Sequence, residues 1–259
     1  KVFAFGGDIE GVGDVNGDGY NDFLISAGFR DYGYVNGIVF LYYGGALIDT
    51  IPSVEFHDDW IEDAFGSPIV ALNDINKDGY NDFAIGSPYN WTNGRGYIYL
   101  FYGGNDITWD KRLTFTCPNL NQLEETEFGK SIANIGDVNN DGYDDLAIGA
   151  SVWYSDYKTG KIYIYYMGPE SDTVPDTLIT AIDSTVSFGS IIKNAGDIYG
   201  NGTANFVIGN YNTILICKNI GDYKIFNSAP LGYGGYFNIE PDININNDRY
   251  KDFVLGNTN

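Results

Sequence analysis

The chain has 259 residues, with 35 Asp and Glu against 14 Lys and Arg, a formal net charge of -21 at pH 7. That sign excludes a nucleic-acid or anionic-membrane surface, since both need a basic footprint, and no apolar run approaches the ~18 residues of a membrane span. Acidity on this scale can accompany disorder, but 44% hydrophobic and 16% aromatic content, with 22 Tyr, supports a large core and favours strands.

In chain order, Phe5-Gly6 leads into Asp14-Val-Asn-Gly-Asp-Gly-Tyr-Asn-Asp22, and the apolar run Phe23-Leu-Ile-Ser leaves it. Bounded by turn signals, such a run suits a strand buried on both faces. Gly37-Ile-Val-Phe-Leu-Tyr-Tyr-Gly44 follows, opened by glycine and alternating β-branched with aromatic residues. A more polar strand, Val54-Glu-Phe, ends the unit, as suits an exposed sheet edge. The same order returns from Phe65-Gly66 through Asp74-Ile-Asn-Lys-Asp-Gly-Tyr-Asn-Asp82, Phe83-Ala-Ile-Gly, Gly96–Gly103 and Arg112-Leu-Thr-Phe-Thr116. It returns again from Phe128-Gly129 through Asp137-Val-Asn-Asn-Asp-Gly-Tyr-Asp-Asp145, Leu146-Ala-Ile-Gly, Gly160–Tyr166 and Thr177-Leu-Ile-Thr180. A worn copy starts at Phe188-Gly189 and Asp197, and an abbreviated one at Tyr233-Gly234 and Asp242.

Acidic loops starting at 14, 74, 137 and 197 give a period of 60 to 63 residues, shrinking to 45 at the last step. Such a period marks tandem units. The repeats fall near 5–64, 65–127, 128–187, 188–232 and 233–259, within one domain spanning 1–259. No segment combines helical periodicity with capping signals. The class is all-β: tandem four-stranded antiparallel blades, four full and a two-stranded partial fifth, which suits radial packing into a β-propeller.

Each of the three well-kept loops reads D-x-N-x-D-G-Y-x-D. Three carboxylates in so short a segment repel one another unless a cation lies between them. A hard cation such as Ca²⁺ takes six to eight oxygens from flexible loops. The glycine at position 6 permits the positive-φ turn that folds those oxygens inward, and the Tyr at position 7 offers its backbone carbonyl. The candidate ligands are therefore Asp14, Asn16, Asp18, Tyr20 and Asp22; Asp74, Asn76, Asp78, Tyr80 and Asp82; and Asp137, Asn139, Asp141, Tyr143 and Asp145. The EF-hand glutamate at position 12 is absent, so the scaffold is another one. In the worn loop, Asn201 and Asn205 replace the carboxylates at positions 5 and 9, which predicts a metal-free hairpin. The last loop offers a weaker fourth set in either register: aligned from its end, Asn244, Asn246, Asp248, Tyr250 and Asp252 with Arg249 in the glycine's place; aligned from its start, Asp242 leads and two residues are inserted.

These features together resemble the FG-GAP repeats of integrin alpha-chain propellers and their bacterial extracellular relatives. The resemblance rests on Phe-Gly, on Gly-Asp at 13–14, 136–137 and 196–197, on the nine-residue loop, and on the Ile-Gly or Ile-Ser after it. It implies one calcium ion per intact loop, between the first two strands of a blade. It also implies an extracellular or cell-surface module with a structural or adhesive role; that no catalysis is expected rests instead on loops filled by their own ligands and on the missing catalytic motifs. A protein or carbohydrate ligand is the expected partner. The partial fifth blade belongs to a longer propeller, to a small closed ring, or to a homo-oligomer or filament in which a neighbouring copy completes it.

Other features carry blander expectations. Cys117 and Cys217 are read as buried thiols, and His57, the only histidine, as an exposed edge residue without a nucleophile beside it. No nucleophile elbow or phosphate-cradling loop is present. The alternative function is a carbohydrate-binding or polysaccharide-active propeller. It would use loop aromatics (Trp60, Trp91, Trp109, Trp153, Tyr32, Tyr34, Tyr89, Tyr154 and Tyr157), which otherwise serve blade packing.

Overall fold

The computed structural model describes residues 4–31, 34–58, 64–88, 96–118, 127–151, 160–181, 188–209, 213–227, 236–243 and 252–258. Apart from a 3-10 turn at Trp109–Lys111, every regular element among them is a strand. The first sheet holds β1 (Ala4–Gly13), β2 (Asp22–Asp31), β3 (Tyr34–Tyr42) and β4 (Val54–His57) in that spatial order. The second repeats it with β5 (Ile69–Asn73), β6 (Asp82–Ser87), β7 (Tyr97–Phe101) and β8 (Leu113–Thr116). The third uses β9 (Glu127–Gly136), β10 (Asp145–Ser151), β11 (Lys161–Tyr165) and β12 (Thr177–Thr180). The fourth uses β13 (Ile191–Gly196), β14 (Asn205–Gly209), β15 (Thr213–Asn219) and β16 (Asp222–Asn227). A two-stranded sheet, β17 (Tyr236–Ile243) with β18 (Asp252–Thr258), ends the described chain. Every pairing reported between neighbours is antiparallel, as the connection by hairpins demands.

Burial follows the predicted grading. The second strand of a unit is buried at every position in β6, β10 and β14. The fourth strand alternates, with Phe56 and Phe115 turned inward and Glu55 and Thr114 outward. His57 ends β4 with its side chain more than half exposed, 3.5 Å from the Glu55 carboxylate. The chain divides into two compact units, Lys1–Ile132 with Asp172–Val174, and Ala133–Ser171 with Pro175–Asn259. In the first, Val12, Leu24, Leu41, Phe56, Phe83 and Phe101 belong to one core cluster; in the second, Ile135, Ile164, Phe206 and Leu215 belong to another. At the junction of the first two sheets, carboxylates of β1 serve the edge of β5. Ile69 donates its N–H to Asp8 Oδ2 at 2.9 Å, and Ala71 donates to Glu10 Oε1 at 3.4 Å.

Gly96 and Gly160 open β7 and β11 as expected, whereas β3 starts three residues before Gly37 because Tyr34–Asn36 also pair with β2; all three glycines answer to the next repeat's Phe-Gly. A β-carbon on Gly37 would overlap the carbonyl oxygen of Phe65; on Gly96, that of Phe128; and on Gly160, that of Phe188. The backbone of one unit is thus pressed onto the third strand of the unit before it, which only glycine allows. Phe65, Phe128 and Phe188 are all at most 4% exposed. Phe5 has no such strand against it among the described residues and is 57% exposed.

Candidate metal centre

The acidic loops are the hairpin links between the first and second strands of their sheets, and all three fold alike. Gly19, Gly79 and Gly142 take φ of 88°, 98° and 94°, the left-handed turn expected at position 6. Position 4 is also left-handed, at Gly17 (78°), Lys77 (59°) and Asn140 (61°). The carboxylate at position 1 gathers the turn's N–H groups. Asp14 Oδ1 accepts from Gly17 (2.7 Å) and Asp18 (3.1 Å), and Oδ2 from Gly19 (2.8 Å). Asp74 accepts from Asp78 and Gly79, both at 2.9 Å. Asp137 accepts from Asp141 at 3.1 Å and Gly142 at 2.9 Å. Positions 3 and 5 are joined side to side: Asn16 Nδ2 donates to Asp18 Oδ2 at 3.0 Å, Asn76 to Asp78 at 2.9 Å, and Asn139 to Asp141 at 2.8 Å.

Position 9 does something the sequence did not announce. Asp22, Asp82 and Asp145 are at most 1% exposed. Each bridges two backbone donors, one at loop position 2 and one just past the third strand. Val15 and Gly44 donate to Asp22 at 2.8 and 2.7 Å. Ile75 and Gly103 donate to Asp82 at 2.9 and 2.8 Å. Val138 and Met167 donate to Asp145 at 2.9 and 3.2 Å. The signal was available in hindsight: position 9 is also the first residue of β2, β6 or β10, so its side chain starts at the inner strand.

Electrostatics ties each loop together. Burial is the largest cause raising Asp82 and Asp145 to about 7, from an ordinary value of 3.8. The two backbone N–H groups oppose the shift, while Asp74 and Asp78, or Asp137 and Asp141, add to it. Asp22 is raised in the same way, by burial first and then by Asp18 and Asp14. The three carboxylates of one loop therefore lie near enough to repel. Among the described residues no three acidic, His or Cys side chains converge into a finished cage; they turn instead onto the loop's own N–H groups. A carboxylate has about four lone-pair sites, so acceptor capacity remains after these bonds. The donor set is all hard oxygen: three carboxylates, one amide and one peptide carbonyl per loop. That fits Ca²⁺ and suits neither a thiolate- nor an imidazole-seeking metal.

The worn loop is a built-in comparison. Asp197 still gathers the N–H groups of Asn201 (2.9 Å) and Gly202 (2.7 Å). Asn205 replaces the buried carboxylate with a neutral amide, accepting from Ile198 at 3.0 Å and donating to the Lys218 carbonyl at 2.9 Å. The hairpin survives without the charge. Of the fourth candidate set, Asn244, Asn246, Asp248 and Tyr250 lie outside the described residues, and Asp252 starts β18, paired with Ile243.

The other candidates separate by place. Trp109 packs edge-on against Phe65 and lies under the Arg112 guanidinium, 3.9 Å from its ring centre, so it serves packing. Tyr34 pairs with Asp31 through the backbone of β3. Trp60, Trp91, Trp153, Tyr32, Tyr89, Tyr154 and Tyr157 lie outside the described residues. Cys117 and Cys217 are both buried.

Comparison with known proteins agrees with this geometry. The FG-GAP repeat model matches residues 6–42, 65–101 and 128–165, each match running from Phe-Gly or its glycine to the end of a third strand. The chain is 29% identical to mouse integrin alpha-IIb over 183 residues, covering 65% of the chain and 16% of that protein. It is 29% identical to Drosophila melanogaster integrin alpha-PS2 over 197 residues, covering 70% of the chain and 13% of that protein. Against human integrin alpha-6 it is 29% identical over 205 residues, 77% of the chain and 16% of the protein. The chain thus spans under a fifth of the length of these relatives.

Proposed function

We propose that this chain, which carries FG-GAP repeats and is distantly related to the N-terminal region of integrin alpha chains, is a calcium-stabilised, non-catalytic β-propeller module working outside the cell as a structural, adhesive or self-assembling unit. The observation that carries the reading is the triplicate loop. In each copy, one exposed carboxylate, one half-buried carboxylate and a half-buried amide stand beside a buried carboxylate that starts the second strand. In this reading Asp14, Asn16, Asp18 and Asp22, with the Tyr20 carbonyl, hold one ion; the matching residues of 74–82 and 137–145 hold two more; and 244–252 offers a weaker fourth site. Calcium supplies the positive charge that offsets carboxylate repulsion. The residues themselves join the first strand to the second, and through position 9 both to the end of the third. Millimolar affinity suits the calcium outside cells. Relatives that are integrin alpha chains support an extracellular setting, and among the described residues no helix is long and apolar enough to cross a membrane.

Thermal melting in 2 mM CaCl₂ and in excess chelator tests the reading. For a Kd of about 0.1–1 mM, calcium at that concentration, binding the folded state alone, adds roughly 0.6–1.8 kcal/mol per site, summed over the sites. The midpoint should therefore fall clearly when calcium is removed; identical midpoints would defeat the proposal.

A further inference from the structure

We infer that the loops at 14–22 and 74–82 bind their ions cooperatively, because the closing end of the second loop is seated on the opening of the first. The inference rests on the calcium reading above and adds the coupling between sites. Asn81 donates its backbone N–H to the Asp14 carbonyl at 3.0 Å, and Gly104 donates to the Val15 carbonyl at 2.7 Å. The contact continues in side chains. A β-carbon on Gly13 would come within 2.6 Å of the Asn81 amide, and one on Gly17 within 2.5 Å of the Tyr80 ring.

These positions matter because of what stands next to them. Tyr80 and Asn81 lie between Asp78 and Asp82, so an ion drawing on the Tyr80 carbonyl and both carboxylates fixes their backbone. Gly13, Asp14, Val15 and Gly17 surround the first ligands of the other loop. Fixing Tyr80 and Asn81 thus also fixes the frame on which Asp14, Asn16 and Asp18 are carried. An ion entering the first loop then has less ordering entropy to lose, which is positive coupling without any large movement. By linkage the effect is reciprocal. The glycines agree with this role. Position 4 is left-handed in all three intact loops, yet only the first loop has glycine there, which is where the Tyr80 ring needs room.

The third loop provides the contrast. Gly136 meets Ala204 of the worn loop, the residue in Asn81's place. That neighbour lacks carboxylates at positions 5 and 9, so this contact passes no ion binding to 137–145.

Calcium titration calorimetry on two variants of the full chain tests the inference. Asp141→Asn with Asp248→Asn leaves the first two loops intact; adding Asp78→Asn leaves only the first. The expected result is two ions binding with a Hill coefficient above one in the former. In the latter, affinity at the first loop should be weaker by at least about fivefold, the lower edge of ordinary coupling. Asn76→Ala in place of Asp78→Asn should weaken the first loop in the same direction. Equal affinity at the first loop, whether or not the second is intact, overturns the coupling while leaving calcium binding in place. Absence of heat and of any bound ion in the parent chain would instead overturn the calcium reading itself.

Discussion

Replacing Gly96 with alanine puts a methyl group where the Phe128 carbonyl oxygen already lies, with the Pro88 carbonyl oxygen 3.1 Å away on another side. Neither obstacle is the end of a flexible side chain; both are backbone. The strand of one repeat must therefore move off the Phe-Gly of the next, or the ladder must bend. Overpacking costs typically 1–3 kcal/mol, and a backbone obstacle belongs at the upper end, about 3 kcal/mol. For a chain of this size that lowers a melting midpoint by roughly 6–12 °C. Gly11 is the matched control: nothing lies within 4 Å of a β-carbon there and its φ is not left-handed. Gly11→Ala should shift stability by no more than about 0.5 kcal/mol. Urea and thermal denaturation in saturating calcium measure both. If Gly96→Ala melts with Gly11→Ala, the idea that third-strand glycines exist to admit the next repeat is wrong.

Three further expectations concern buried polar groups. In chelator, stability should fall as pH rises from about 4 through about 7. Asp82 and Asp145 hold protons up to about 7 in the fold but only to about 3.8 when unfolded, so the native state binds more protons across that window. Urea midpoints at pH 5 and 7.5 check the sign, and a rise with pH would refute it; saturating calcium should remove the difference. Asn205→Asp should cost about 1–3 kcal/mol, because an oxygen would then face the Lys218 carbonyl that Asn205 Nδ2 now satisfies at 2.9 Å; denaturation midpoints unchanged by the substitution would contradict this. The Cys217 thiol, pushed up to about 12 by burial, should resist alkylation at pH 8 until the chain is unfolded in guanidinium; mass spectrometry showing rapid native labelling of Cys217 would contradict this.

Much of the fold could be read from residue pattern because it is repeated. Phe83-Ala-Ile-Gly and Leu146-Ala-Ile-Gly lie in the buried strands β6 and β10, each started one residue earlier by the loop's last Asp, and Thr177–Thr180 is the outer strand β12 as expected. The positive φ of Gly19, Gly79 and Gly142 followed from the loop's need to reverse direction. Less accessible were effects set by partners distant in sequence. Gly96 and Gly160 could be seen to open strands, and Gly37 to lie near the start of one, but not why, since the obstacle is the carbonyl of a Phe 28 to 32 residues later. Asp22, Asp82 and Asp145 read as the closing ligands of a cage. Their second role, bracing Gly44, Gly103 and Met167 from 21 or 22 residues away, depends on how the third strand returns beside the loop. The seating of Asn81 on Gly13 was hidden for the same reason.

Calcium stoichiometry most directly tests the central claim. Equilibrium dialysis against Ca²⁺, followed by elemental analysis, should show at least three ions per parent chain. Asp18→Asn, Asp78→Asn and Asp141→Asn combined should lose three. A parent chain that retains no calcium at millimolar concentration, or a triple variant that retains as much as the parent, would contradict the account.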